Sequence, residues 1–275
     1  MNQHKANLKP QFKVQIPLPI WQIRFDEKTG WLGIEARAAD ILQNAFYVID
    51  SRSGDFMLSD YKPKAGWWSG LEDIYNGSLY LHLGNNQQFG RHEGILALNA
   101  GTGEMRWERP AYSFYGLTAH YLLAKELNQE NPNLIGLDYL TGSIVSDALT
   151  STQAHTDLSA FQAQRVLLAK VPGHYPADNM FFPELQLFLQ KKIGTVAMLA
   201  IDYLETNRYF IMGYYHTLPY LKYTYQVAVF SLAGELLLQE ELISNTDAIS
   251  LDNFFILNDT LILAQNKDLL LGYAL

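Results

Sequence analysis

Three segments of the chain carry the same punctuation. FYVIDSRSGDFM (Phe46–Met57), ILALNAGTGEMRW (Ile95–Trp107) and LIGLDYLTGSIV (Leu134–Val145) each place an Asp or Asn, then a Ser or Thr, then a Gly between two apolar, β-rich runs. The repeated positions are Asp50, Ser53 and Gly54; Asn99, Thr102 and Gly103; and Asp138, Thr141 and Gly142. VAVFSLAGELLL (Val227–Leu238) keeps the two runs and the turn Gly234. The unit reads as a hairpin. An Asp or Asn side chain bonds backbone N–H groups two or three residues on, and Gly takes a positive φ without a Cβ clash.

The spacing of these turns constrains the fold further. Gly54 to Gly103 is 49 residues, Gly103 to Gly142 is 39, and Gly142 to Gly234 is 92. A degenerate copy in ELQLFLQKKIGTVAML (Glu184–Leu199), turning at Gly194, divides the last interval into 52 and 40. A strand–turn–strand unit recurring on this scale predicts an all-β, six-bladed β-propeller. LLLGYAL (Leu269–Leu275) reads as the third strand of a final blade. FKVQIPLP (Phe12–Pro19) alternates and has no earlier blade to join, so it is expected to close the ring there and remove an open edge. The expectation is one domain over residues 1–275, with 1–10 a flexible tail and 11–19 the closing strand.

Inner strands are placed on WQIRFDEKTGWLGIEA, LEDIYNGSLYLHLG, YSFYGLTAHYLLAK, IDYLETNRYFIMGYY and LDNFFILNDTLILA. Asn76-Gly77 is a strong two-residue hairpin signal, and Asn258-Asp259 is similar. The fourth blade, around Ala154–Leu189, is the weakest. Val171–Pro183 reads as a long loop, and one short helix is expected near His155–Gln164.

Composition supports a large core and narrows the partners. Of 275 residues, 48% are hydrophobic, 13% aromatic and only 17% charged. A net charge of −8 with no Lys/Arg cluster disfavours a phosphate-tracking face, so no nucleic acid and no anionic membrane surface is expected as partner. There is no cysteine, hence no disulfide, thiolate metal site or Cys nucleophile. MNQHKANLKPQFKVQIP has no apolar signal region, and no stretch reaches membrane-span length, so a cytoplasmic protein is expected.

The stretch ALNAGTGEMRW (Ala97–Trp107) resembles the repeat of quinoprotein-like propellers, the pyrroloquinoline-quinone repeat class. Its pattern is Ala-x-Asp-x-x-Thr-Gly-x-x-x-Trp. Ala97, Asn99, Thr102, Gly103 and Trp107 occupy those places, with Asn for Asp. The first and third copies keep the Asp and the Ser/Thr-Gly but have no Trp. Over its full length the chain is similar to an uncharacterised bacterial family of unknown function. The resemblance implies that Trp107 is a structural residue docking between blades. It implies no bound quinone, because the quinone enzymes of the class are larger, and no cofactor is expected.

The sequence carries few chemical signatures. No GxSxG, HExxH, P-loop or GxGxxG arrangement is present. The seven histidines, at 4, 82, 92, 120, 155, 174 and 216, show no i, i+2 or i, i+4 pair, so no catalytic or metal residue is assigned. His82 reads as a hydrogen-bonded structural residue and His216 as a rim residue. Arg24, Asp73, Asp202 and Asp252 fall at similar inner-strand positions and are expected to face one channel as a ligand-binding set, with Glu72 turned the other way. Trp67 and Trp68 form an aromatic rim. The function expected is a non-catalytic binding propeller for a protein or small molecule. The alternative is a hydrolase or lyase acting on a carbohydrate or lactone at the channel mouth.

Overall fold

The computed structural model describes residues 8–84, 92–127, 133–217, 222–247 and 253–275. The chain is predominantly β and divides into two compact units, one of residues 16–169 and one of residues 1–15 with 170–275.

The unit of residues 16–169 holds three successive antiparallel sheets of four strands, each strand beside its sequence neighbour. The first contains β2 (Ile20–Asp26), β3 (Trp31–Ala38), β4 (Gln43–Asp50) and β5 (Phe56–Tyr61). A 3-10 turn, Gly66–Trp68, leads to the second: β6 (Gly70–Tyr75), β7 (Ser78–His82), β8 (Ile95–Asn99) and β9 (Met105–Arg109). The third contains β10 (Tyr112–Leu117), β11 (Leu122–Glu126), β12 (Leu134–Leu137) and β13 (Ile144–Leu149). Neighbouring sheets share cores. Phe46 and Val48 of the first pack with Leu71, Ile74, Leu79 and Leu98 of the second. Tyr80, Ile95 and Trp107 of the second pack with Leu122, Ala124 and Leu137 of the third. Each fully buried Val, Leu, Ile or Phe among them contributes on the order of 1.5–3 kcal/mol of transfer free energy.

The hairpin turns are built as their residues require. Asp50 Oδ1 accepts from the N–H groups of Arg52 and Ser53, Asn99 Oδ1 from Gly101 and Thr102, and Asp138 Oδ1 from Leu140 and Thr141. Gly54, Gly103 and Gly142 all have φ between 66° and 78°. Trp107 docks on the last of these turns. Its indole Nε1 donates to the Tyr139 carbonyl at 3.0 Å, and a Cβ on Gly142 would lie 2.6 Å from its ring.

After β13 the chain is helical. Helix α1 (Ser151–Leu168) is capped by Thr150, whose hydroxyl accepts from the Gln153 N–H, and it extends the short helix expected at His155–Gln164 in both directions. Ala154 and Phe161 are its buried residues, and Leu158 packs on Gly116 of β10. A two-residue strand, β14 (Ala169–Lys170), marks the junction of the units.

The second unit corrects the reading of a fourth blade. Val171–Pro183 holds a strand, β15 (Gly173–Pro176), and the following segment is helix α2 (Phe182–Ile193). Gly194 is the left-handed C-cap of that helix, with φ 73°, and not a hairpin turn. ELQLFLQ alternates like a strand, but Phe182, Leu185, Leu189 and Ile193 recur at helical spacing, and their face packs against Ile201, Met212 and Phe230. Pro183 at the first turn and Lys191 and Lys192 in the last add local helix signals. The described residues therefore form five sheets where the spacing predicts six blades.

The fourth sheet runs β15, β16 (Met198–Glu205), β17 (Tyr209–Thr217), β18 (Tyr223–Ser231) and β19 (Leu236–Thr246). In the fifth, β20 (Phe254–Leu257), β21 (Thr260–Gln265) and β22 (Leu269–Ala274) are consecutive, and β1 (Phe12–Gln15) joins antiparallel to β22. Phe12 faces Gly272 and Gln15 faces Leu269. The N-terminal strand thus lies in the C-terminal sheet, over four residues of the expected 11–19. No helix among the described residues is long and apolar enough to cross a membrane.

Candidate functional site

The β6–β7 hairpin turns at Asn76-Gly77, where both residues have positive φ, as a type I′ connection requires. Its register pairs Gly70 with His82 and Leu71 with Leu81, then shifts, so that Asp73 faces Tyr80. Glu72 is the extra residue of this bulge. A bulge re-aims a side chain and breaks strict alternation. Glu72 consequently meets His82 of β7.

His92 arrives from the connection before β8. The Leu83 and Gly84 N–H groups both donate to the Glu93 carbonyl, which brings residues 92–94 beside the end of β7. The Nδ1 atoms of His82 and His92 each lie 2.7 Å from the same oxygen, Glu72 Oε1. The two imidazoles stack with centroids 4.0 Å apart. Glu72 and His82 are largely buried, whereas the His92 side chain is 55% exposed.

Burial works against ionising Glu72. The hydrogen bonds from His82 and His92 outweigh it and hold the carboxyl below the ordinary range. The hydrogen bond to Glu72 in turn raises the His92 imidazole above its usual value. Gly70 makes room for this arrangement, since a Cβ there would sit 2.3 Å from His82 Cε1 and 3.2 Å from Arg37 Nη2.

A second polar layer lies alongside. Glu35 is buried and accepts from the Leu71 N–H at 2.6 Å, from Gln22 Nε2 at 2.7 Å, and from Arg37 Nε. Arg37 Nη1 donates to the Trp67 carbonyl and Nη2 to the Ser69 carbonyl, while its guanidinium lies 4.8 Å from the Trp67 ring centroid. Asn44 also donates to Ser69 O. Glu35 and Arg37 thereby hold the Trp67–Leu71 stretch, on which the Glu72 bulge is mounted. Trp67 and Trp68 are half-buried.

The members of the expected channel set have partners of their own. Asp73 is held by Arg165 of α1, with Nη1–Oδ2 2.7 Å and Nη2–Oδ1 3.1 Å. Glu27 Oε2 takes Arg165 Nε at 3.0 Å, and the Phe25 and Ile74 carbonyls take Nη2. These acids push the Arg165 guanidinium further up, against the opposing effect of burial. Arg24 is exposed and makes long contacts of 3.4 Å to the Glu72 and Ile23 carbonyls. In the other unit, Asp202 Oδ1 lies 2.6 Å from His174 Nδ1, and its Oδ2 accepts from Tyr225 at 2.5 Å. Asp252 lies outside the described residues. His216 stands at the end of β17, 6.4 Å from the Tyr214 ring, with Nε2 buried.

Spacing rules on a single strand or helix miss the Glu72–His82–His92 group, because its members sit on a bulge, a strand end and a connection. The His82-to-His92 interval flanking one hairpin strand and the next is the signal that was available. Glu72, expected to face away from Asp73, stands at the bulge and meets His82, while Asp73 meets Arg165.

Residues 25–107, which contain this whole group, match the model of a family described as a domain of unknown function (DUF4905). No curated protein matches the chain. Among solved structures, the exo-β-1,3-galactanase of Phanerochaete chrysosporium with β-1,3-galactotriose is 10% identical, with 95% of this chain and 64% of that one covered, at a TM-score of 0.30. The β-propeller domain of the Trilobed protease from Pyrococcus furiosus is 8% identical, with 93% and 65% covered, at 0.33. An uncharacterised protein of Listeria monocytogenes is 8% identical, with 94% and 77% covered, at 0.30. The chain spans less than two thirds of the length of the first two, and at such scores these likenesses carry no argument about fold or activity.

Proposed function

We propose that the chain is a non-catalytic binding module of the quinoprotein-like β-propeller type, a single domain that takes a small ligand or a protein at the end of its first two sheets. The observation that carries this reading is the gathering of Arg37, Trp67, Glu72, His82 and His92 at one place, with Glu72 and His82 largely buried and His92 open to solvent. Successive four-stranded meanders and an N-terminal strand seated in the C-terminal sheet support the propeller reading. Absence of cysteine fits a reducing compartment, and a cytoplasmic location is part of the proposal.

The hydrolase or lyase reading has less support. It asks for two carboxylates free to act on substrate, and Asp73 and Asp202 are each engaged by neighbouring side chains. The test is a thermal-shift screen of the intact chain against sugar acids, short oligosaccharides and divalent cations, run beside turnover assays on aryl glycosides and lactones. Saturable stabilisation that Trp67→Ala or His92→Ala removes, without turnover, supports the binding reading. Turnover lost in Asp73→Asn or Asp202→Asn overturns it.

A further inference from the structure

We propose that Glu72, His82 and His92 bind a divalent transition-metal ion, with zinc the expected occupant; the inference rests on reading this end of the sheets as the binding place. Two imidazole nitrogens and one carboxylate oxygen suit zinc and its neighbours in the first transition row. Calcium and magnesium ask for shells of oxygen, which two imidazoles do not supply.

Convergence is the second argument. The three ligand atoms lie within 4.8 Å of one another, and both Nδ1 atoms lie 2.7 Å from a single oxygen. A structural hydrogen bond to Glu72 needs one histidine. His92, being more than half exposed, could be satisfied by water, yet it is stacked on His82 and aimed at the same atom. A tetrahedral ion with ligands at about 2.0–2.1 Å separates them by roughly 3.3 Å. Both Nδ1 contacts therefore have to open by about 0.6 Å as the ion takes the place of the bridging protons.

The scaffold can provide that opening by side-chain rotation while it holds the backbone. The backbone of Glu72 and His82 is set by the bulged β6–β7 register and the His82 ring is bounded by Gly70, while the Glu72 carboxylate turns about its own side-chain torsions. The His92 side chain is exposed and adjusts by ring rotation. Three protein ligands leave a fourth position, facing the exposed His92 side, for water or for a donor atom of an outside ligand. The His174–Asp202 pair lacks this capacity, since it offers one imidazole and its second carboxylate oxygen already accepts from Tyr225.

The experiment is calorimetric titration of the tag-free full chain with Zn2+, paired with the visible absorption of the Co2+ form. One ion per chain is expected, with a Co2+ spectrum of four or five coordination. His92→Ala and Glu72→Gln should weaken binding by more than about 100-fold, beyond the range of outer-shell changes. Both variants should keep the parent circular dichroism, and His92→Ala, at an exposed position, guards against a folding artefact. Absence of saturable binding to the parent chain, or binding undiminished in both variants, overturns the metal site. An organic ligand that stabilises the chain through Trp67 while Zn2+ does not bind overturns the metal site and leaves the binding-module reading standing. Zn2+ binding lost in both variants, in a chain that also turns over a glycoside, supports the metal site and overturns the non-catalytic reading.

Discussion

Arg165 and Asp73 form a two-pronged ion pair between helix α1 and strand β6, with Nη1–Oδ2 2.7 Å and Nη2–Oδ1 3.1 Å. Both side chains are largely buried, and Glu27 closes the group from the other side of the guanidinium. Asp73, a member of the expected channel set, thereby ties helix α1 to strand β6.

Removing one partner of a buried pair leaves an uncompensated charge. Arg165→Ala is expected to destabilise the chain by about 3–5 kcal/mol, and the double variant Arg165→Ala/Asp73→Ala by less than the sum of the two single changes. Urea denaturation of the four proteins measures this. Additive losses would show that the pair does not act as a unit.

The N-terminal strand should be a structural necessity of its sheet. The Phe12 ring lies on Gly272, where a Cβ would meet Phe12 Cε1 at 2.1 Å. Phe12→Ala should cost about 3–5 kcal/mol as a core truncation. Gly272→Ala should be destabilising through displacement of the ring. Deletion of residues 1–19 should expose the β22 edge and promote association, seen by light scattering. A monomeric deletion variant of unchanged melting temperature would contradict the role given to β1.

Alkaline pH should unfold the protein. Burial raises Tyr47, Tyr121 and Tyr214 to about 12, and raises Tyr80, Tyr139, Tyr203, Tyr225 and Tyr273 further. Tyrosine in the unfolded chain ionises near pH 10, so above that value the unfolded state binds fewer protons than the folded one. Stability is therefore fully present below about pH 10 and falls as pH rises towards and past 12. Melting temperature against pH and tyrosinate absorbance should show ionisation coinciding with unfolding. Smooth titration of all tyrosines near pH 10 in folded protein would contradict it.

Gly70→Ala probes the candidate site without touching a chemical group in it. The new Cβ falls on the His82 ring and close to Arg37. The expected outcome is a His82 displaced from Glu72, with the His92 imidazole keeping its own bond to the carboxylate. Imidazole resonances in an NMR spectrum report this directly, and a His82 signal unmoved by the substitution would show that the ring has room.

The hairpin punctuation was legible because it is local chemistry. An Asp or Asn four residues before a Gly, as at Asp50–Gly54, Asn99–Gly103 and Asp138–Gly142, closes its turn with its own neighbours and needs no tertiary partner. The same holds for Asn76-Gly77, and the lone strand at Phe12 could be assigned to the C-terminal sheet because an unpaired edge needs covering. Tertiary packing decided the rest. ELQLFLQ satisfies a strand pattern and a helix pattern alike; Pro183, Lys191 and Lys192 favour the helix locally, and the apolar surface of the fourth sheet holds its face of Phe182, Leu185 and Leu189. Asp73 became an anchor because a helix some ninety residues later delivers Arg165 to it. Glu72, His82 and His92 met because a bulge interrupts the alternation of β6 at Glu72 and Glu93, just before β8, bonds back to Leu83 and Gly84 at the end of β7. Those encounters depend on distances through space, which residue type and sequence spacing do not encode one position at a time.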